Sequence, residues 1–327
     1  MPSGPGIVAV VQDAPVLVDW RATVDKAARL IAEAAALGAG LVLFPEAFVT
    51  GYPRGLTFGC AVGTRTVEGR RLWQEYWDNA IDVPGPATEL LGAAARAARV
   101  HVAIGVIERD TRFSRGTLFC TVLFFDDEGR LRGLHRKLRP TGSERLIWGE
   151  GDGSTLPVFD TPVGRIGALI CWENYMPLAR MAMYAQGVEL LLAPTADGRD
   201  IWQASIRHIA YEGRCFVLSC NQFVARSMYP SHWLALPELA GAPEILTPGR
   251  SAIVSPMGEI LAGSLEAKAG ILTAEIDLAE IRRGKFDFDV TGHYMRPDVF
   301  RLAVNTAPQP AVTWAAQPED DAKDEPA

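Results

Sequence analysis

No stretch of the 327-residue chain strings together the roughly 18 apolar residues that a membrane-spanning helix requires. The N-terminal Met1-Pro2-Ser3-Gly4-Pro5-Gly6 also lacks a basic region leading into a secretory core, so neither a membrane-embedded nor an exported protein is expected. A basic stripe is missing as well. The net charge is −7, with acidic and basic residues interspersed, which leaves no face for nucleic acid or for an anionic bilayer. The five cysteines (Cys60, Cys120, Cys171, Cys215, Cys220) are odd in number and scattered, without the CxxC pairs of a zinc site or redox motif. They read as reduced thiols, which places the chain in the cytoplasm. The five histidines show no HExxH or similar ligand spacing, and neither a metal nor a cofactor is expected.

Apolar material, by contrast, is plentiful. Hydrophobic residues make up 48% of the chain and charged residues 22%, enough for a large core. Short apolar runs alternate with amphipathic segments: a strand over 7–11, a helix over 20–37 closed by Gly38 and Gly40, a strand over 41–44, a helix over 88–99 and a strand over 100–107. Such runs between helices mark strands buried on both faces of a sheet. The turn Asp126-Asp127-Glu128-Gly129 joins strands over 117–125 and up to 134 as a hairpin. A second half repeats this outline, with strands over 156–159, 164–170, 188–193 and 215–220 and helices over 177–186 and 201–213, followed by strands over 251–254, 259–262 and 270–276.

The fold class is therefore α/β. The expected architecture is a four-layer αββα sandwich, two sheets with helices on both outer faces, although periodicity equally permits one doubly wound sheet. A single domain is expected over 1–306. Residues 307–327, with Pro308, Pro310, Pro318 and the acidic Glu319-Asp320-Asp321, are expected to form a disordered tail. Segments 54–70 and 225–246 have loop composition and unusual length, as surface insertions that cover a pocket or make contacts would.

The apolar run over 165–170 delivers Cys171 to a break in pattern at Trp172-Glu173-Asn174-Tyr175-Met176-Pro177, where a strand ends and a helix begins. The positive end of a helix would lower the thiol pKa and favour a nucleophilic thiolate. A small buried hydrophobe is the other reading of such a cysteine. Glu46 stands immediately beyond Leu41-Val42-Leu43-Phe44-Pro45, where α/β sheets present reactive groups. Its neighbours Pro45 and Phe48 favour burial, which raises a carboxylate pKa and suits a general base. Lys137 closes the hairpin strand within His135-Arg136-Lys137-Leu138-Arg139-Pro140-Thr141, and Glu144 follows seven residues later. Arg136 and Arg139 read as solvated. Tyr52, Trp148 and Trp172 either shape a substrate pocket or pack in the core. Pro194 and Thr195, ending another buried strand, are placed to face the cleft.

Three of these segments, Phe44-Pro45-Glu46, His135-Arg136-Lys137-Leu138 with Pro140-Thr141 and Glu144-Arg145, and Cys171-Trp172-Glu173-Asn174, together resemble the nitrilase superfamily of carbon-nitrogen hydrolases. Trp148-Gly149-Glu150-Gly151-Asp152-Gly153, Ala193-Pro194-Thr195-Ala196-Asp197, Trp202-Gln203-Ala204-Ser205 and Gly292-His293-Tyr294 with Arg296-Pro297-Asp298 are similar to the true nitrilase branch, and the likeness runs over 7–305. The resemblance implies an αββα sandwich and a catalytic triad of Glu46, Lys137 and Cys171, with Glu144 as a second glutamate beside them. It implies hydrolysis of a small nitrile to the carboxylic acid and ammonia through covalent thioimidate and thioester intermediates. It also implies homodimers that build larger spiral oligomers, with the helix after Cys171 near the pairing surface. An amidase or carbamoylase would use the same triad, and a cyanide hydratase would stop at the amide. A non-catalytic assembly scaffold is the rival from a different class.

Overall fold

Period-two alternation along the strands decides which layer each residue joins. The computed structural model describes residues 6–314. Its first half contributes β1 (Gly6–Gln12), β2 (Ala39–Leu43), β3 (His101–Arg109), β4 (Leu118–Phe125) and β5 (Leu131–Arg136). The second half contributes β6 (Val158–Thr161), β7 (Gly164–Ala168), β8 (Leu190–Thr195), β9 (Phe216–Asn221), β10 (Phe223–Ala225), β11 (Ile245–Val254), β12 (Ile260–Glu266) and β13 (Gly270–Ile276). One sheet runs β13-β1-β2-β3-β4-β5, and the other runs β10-β11-β9-β8-β7-β6 with β12 added to β11. Each has three adjacent parallel strands, β1–β3 or β7–β9, flanked by antiparallel ones.

Val8 and Val10 of β1, Leu41 and Leu43 of β2, Leu190 and Leu192 of β8, and Phe216 and Leu218 of β9 point into one shared core between the sheets. The alternate residues Ala9, Val11 and Val42 meet Val24, Ala27 and Ile31 of α1 (Trp20–Ala36). That cluster also takes in Leu91 and Ala95 from outside α1. On the far side, Leu191, Ala193 and Val217 pack on Met183, Trp202, Ile206 and Ala210. Helix α2 (Val67–Asp78) leads to α3 (Pro86–Ala98), which supplies Leu91 and Ala95. The outer helices of the second sheet are α4 (Pro177–Ala185) and α5 (Asp200–Gly213). The result is the four-layer αββα sandwich, and the doubly wound single sheet is excluded.

Segment 54–70 is not loop throughout, because α2 begins at Val67 and Thr66 Oγ1 caps it by accepting from Gly69 N at 3.0 Å. Only Gly69 and Tyr76 of α2 are buried, so its apolar signal is weak in sequence. Segment 225–246 likewise holds two short helical turns, Ser231–Leu234 and Pro237–Ala240. The two segments pack on each other. Tyr229 Oη donates to Arg54 O at 3.1 Å and Thr57 Oγ1 to Glu238 Oε1 at 2.7 Å, and the fully buried Trp233 reaches further along α2, donating Nε1–H to Glu75 Oε2 at 2.9 Å. Of the expected tail, residues 307–314 are exposed and without regular structure, and 315–327 lie outside the described residues. No helix among the described residues is long and apolar enough to cross a membrane.

Candidate active site

Glu46 lies on the turn that leaves β2, and β3 holds that turn. Phe44 N donates to Ala103 O at 2.8 Å and Val49 N to Gly105 O at 3.0 Å, while Gln222 Nε2 reaches Glu46 O at 2.8 Å. Gly105 has no substitute here: a Cβ would sit 2.2 Å from Pro45 O and 2.7 Å from Ala47 N. Ala47 and Thr50 adopt φ of 51° and 92°, left-handed conformations that cost energy and persist only where surrounding bonds impose them. Lys137 is the first residue beyond β5, its N–H donating to Cys120 O at 2.8 Å. Cys171 opens a 3-10 turn (Cys171–Tyr175) shortly after β7, with φ of 53°. Asn174 Nδ2 fixes this elbow by donating to Leu169 O at 2.7 Å and Cys171 O at 2.9 Å.

These three segments converge at the rim between the sheets. Lys137 Nζ donates to Glu46 Oε1 at 2.6 Å and to Glu144 Oε2 at 2.7 Å. Glu46 and Lys137 are almost wholly inaccessible to solvent. Glu46 Oε2 is buried without a hydrogen-bond partner, and the Cys171 thiol stands close enough to Glu46 to influence its ionisation. Thr195 Oγ1 donates to Cys171 Sγ at 3.1 Å. Glu144 is held by Tyr52 Oη at 2.7 Å and Thr141 N at 2.7 Å. Cys120 Sγ, 3.6 Å from Glu46 Oε1, is a further neighbour that sequence reasoning missed. Nothing distinguishes it in sequence from the other buried cysteines.

Electrostatics corrects one expectation. Burial, reinforced by the Glu46 charge and opposed by Lys137, pushes the Cys171 thiol up to about 12. The element after Cys171 is a single 3-10 turn and α4 starts only at Pro177, so no long helix end acts on the sulfur, and lost hydration wins. Burial also lifts Glu46 above its ordinary value, partly offset by Lys137, as expected of a general base. Burial works against the charge on Lys137, yet Glu46 foremost, with Glu144, holds it well above the ordinary lysine range. The resting sulfur therefore carries its proton, beside a carboxylate with a free oxygen and raised basicity.

His135 is unavailable to that sulfur. Its Nδ1 lies 2.5 Å from Thr155 O and its Nε2 2.9 Å from Glu173 Oε2. A carbonyl only accepts, and the Glu173 carboxylate already accepts from Ile170 N at 2.5 Å and Leu138 N at 2.6 Å, so both imidazole nitrogens donate. Although burial opposes the charged imidazole, Glu173 raises its pKa. Glu173 thus ties the residue after Lys137 to the residue before Cys171. Arg136, expected in solvent, instead pairs with buried Glu108 and stacks over Phe119 at 4.3 Å, whereas Arg139 is half exposed and pairs with Glu150.

Cys171 opens into a cavity of about 310 Å³ whose lining includes Tyr52, Glu144, Trp172, Asp197 and Arg199. A neighbouring cavity of about 350 Å³ shares Tyr52 and Glu144 and includes Trp148, whose ring lies 5.8 Å from Lys137 Nζ. Thr195 meets the sulfur directly, while Pro194 is buried in β8 and lines neither cavity. Asp197 accepts from Trp172 Nε1 at 2.9 Å and pairs with Arg199. Asp197 stood inside a segment already singled out, and Arg54, which lines both cavities, opens the 54–70 segment expected to cover a pocket or make contacts. Among the described residues no group of three or more His, Cys, Asp and Glu side chains is arranged to hold a metal.

A thiol, a carboxylate with a free oxygen and an ammonium, gathered beside one cavity of an αββα sandwich, are the groups that a hydrolase working through cysteine requires. The sequence pattern of the carbon-nitrogen hydrolase family matches residues 7–286. A bifunctional nitrilase/nitrile hydratase of Lupinus angustifolius is 54% identical over 94% of this chain and 88% of its own length. Nitrilase 1 of Arabidopsis thaliana is 50% identical (95% and 90%), and an aliphatic nitrilase of Sinorhizobium fredii 52% identical (94% and 98%). The crystal structure of an amidase from Nesterenkonia sp. superposes with a TM-score of 0.64 at 19% identity, covering 86% of this chain and 94% of that one, a likeness of fold. The chain belongs to the carbon-nitrogen hydrolase family, within its nitrilase branch.

Proposed function

We propose that the protein hydrolyses organic nitriles, RCN plus two waters giving RCOOH plus ammonia, with Glu46, Lys137 and Cys171 as the reacting groups and Glu144 beside them. The observation that carries the reading is the buried, unpartnered Glu46 Oε2 next to a protonated Cys171, both reached by the charge of Lys137. Glu46 takes the thiol proton as the sulfur adds to the nitrile carbon. Lys137 and the backbone N–H of Trp172 stabilise the charge that develops on nitrogen, which then takes the proton held by Glu46, so that a neutral thioimidate results and Glu46 is again a carboxylate. Water activated by Glu46 adds to it, ammonia leaves the tetrahedral intermediate, and a second water releases the acid from the thioester. Tyr52, Trp172 and Thr195 bound the reacting volume, Trp148 lies in the adjoining cavity, and Pro194 supports the strand behind it.

Expulsion of the thiol in place of ammonia would release the amide. The bifunctional names of several relatives, which are 53–55% identical, favour a measurable amide fraction. Leu178, Ile201 and Tyr211, exposed on or near the outer helices, support pairing of that layer into homodimers and larger spiral assemblies. Five free cysteines support residence in the cytoplasm. Cys171→Ala tests the reading. Ammonia release from a nitrile panel should vanish while the circular dichroism spectrum is unchanged, and retained turnover would overturn the assignment.

A further inference from the structure

Strand β4 turns Leu118, Cys120, Val122 and Phe124 toward the core between the sheets. Three of the four are hydrocarbon. The exception stands where Glu46 meets the strand: Cys120 Sγ lies 3.6 Å from Glu46 Oε1, the sulfur's only hydrogen-bond contact among the described residues. The same residue accepts Lys137 N–H on its backbone carbonyl at 2.8 Å. Cys120 therefore touches both partners of the buried Glu46–Lys137 pair, one with its side chain and the other with its main chain.

Burial first, then the charge of Glu46, push the Cys120 thiol well above its ordinary range against the pull of Lys137, so the sulfur keeps its proton and donates. Glu46 Oε1 then takes two donors, Lys137 Nζ at 2.6 Å and the Cys120 thiol, while Oε2 takes none. Exchanging the two oxygens by rotation would break both bonds. Taking Glu46 as the general base of the proposed nitrile hydrolysis, we infer that Cys120 is a positioning residue: with Lys137 it ties down Oε1 and so reserves Oε2 for the proton of Cys171. A thiol suits this task because it is a weak donor. A hydrogen bond to the charged carboxylate lowers its basicity, and a hydroxyl in the same place would orient Oε1 at a greater loss of the basicity that burial supplies. The other groups facing Glu46 are Lys137 beyond β5, Glu144 in the turn that follows, Cys171 at its elbow, Tyr52 from the same loop and Tyr76 from α2, and all are retained when position 120 alone is changed.

The experiment follows kcat/KM against pH, by ammonia release from the best substrate of a nitrile panel, in wild type, Cys120→Ala and Cys120→Ser. Alanine and serine are both smaller than cysteine and relax the packing in the same sense, but only serine donates. Cys120→Ala should move the acid limb up by about half a pH unit and Cys120→Ser should move it down by a similar amount. Limbs that move together, stay at the wild-type position or move in the reverse directions overturn the inference, because a packing role does not set the two side chains against each other. Should either variant fail to fold, the direction in the other decides alone. Wild-type protein that releases no ammonia from any nitrile would instead overturn the nitrilase reading on which the inference rests.

Discussion

Replacing Glu173 by glutamine changes one atom and tests how Lys137 and Cys171 are held together. In the native site Glu173 Oε2 accepts from Ile170 N and His135 Nε2, both away from solvent, and Oε1 accepts from the part-buried Leu138 N. Glutamine has one acceptor oxygen and one NH2. With the NH2 turned toward Leu138, two donors face each other; turned the other way, Ile170 N loses its acceptor, while a neutral His135 can accept from the amide. One buried donor is orphaned in either orientation, at about 1–3 kcal/mol. Leaving His135 charged without its partner raises the loss to about 3–5 kcal/mol.

The pH dependence has a definite sign. In the wild type the His135 pKa lies above its ordinary value of 6.5, so the stability it confers is full below that value and fades as pH rises through the folded pKa. In Glu173→Gln burial, the largest influence, is opposed only by the Thr155 carbonyl and depresses the His135 pKa, so stability increases with pH through the same region. Urea unfolding at constant m should therefore give a destabilisation of about 3–5 kcal/mol near pH 5.5 that shrinks to about 1–3 kcal/mol near pH 9. A total stability of about 5–15 kcal/mol leaves the variant folded. Because Leu138 and Ile170 adjoin the reacting residues, kcat should fall about 10²-fold. A destabilisation that is flat or grows with pH would refute the charge assignment, and unchanged kcat would refute the bracing role.

Two further outcomes are expected. Since Glu46 must be ionised to accept the thiol proton and its pKa is raised by burial, the acid limb of kcat/KM should lie above the ordinary carboxylate value of 4.5, with activity lost as pH falls through it. A limb at or below 4.5 would contradict that burial effect. Gly105→Ala, whose new Cβ would meet the Pro45 carbonyl at 2.2 Å, should displace the Glu46 turn, lowering kcat about 10²-fold and stability by about 1–3 kcal/mol. Thermal unfolding and ammonia assays check both effects, and wild-type activity in Gly105→Ala would mean that the turn is not seated on β3.

The order of strands and helices, and the placing of Glu46 and Cys171 just past strand ends, were legible because both follow from local patterns: apolar runs, their punctuation and the residues after them. The exceptions are instructive. Helix α2 buries too little apolar surface to signal itself, and Arg136 gives no local sign of its buried partner Glu108. The Glu46, Lys137 and Cys171 segments were each recognisable, yet their meeting was an inference from resemblance, since residues 91 and 34 positions apart share no local pattern.

Unbroken apolar residues were enough to show that strands such as β1 and β8 are buried on both faces. Tertiary structure decided what covers each face, and hence that there are two sheets, because alternation separates the faces without naming the neighbours. It likewise reversed the expected direction of the Cys171 pKa. Desolvation and Coulomb forces depend on everything packed around an atom, and the atoms around that sulfur come from across the chain.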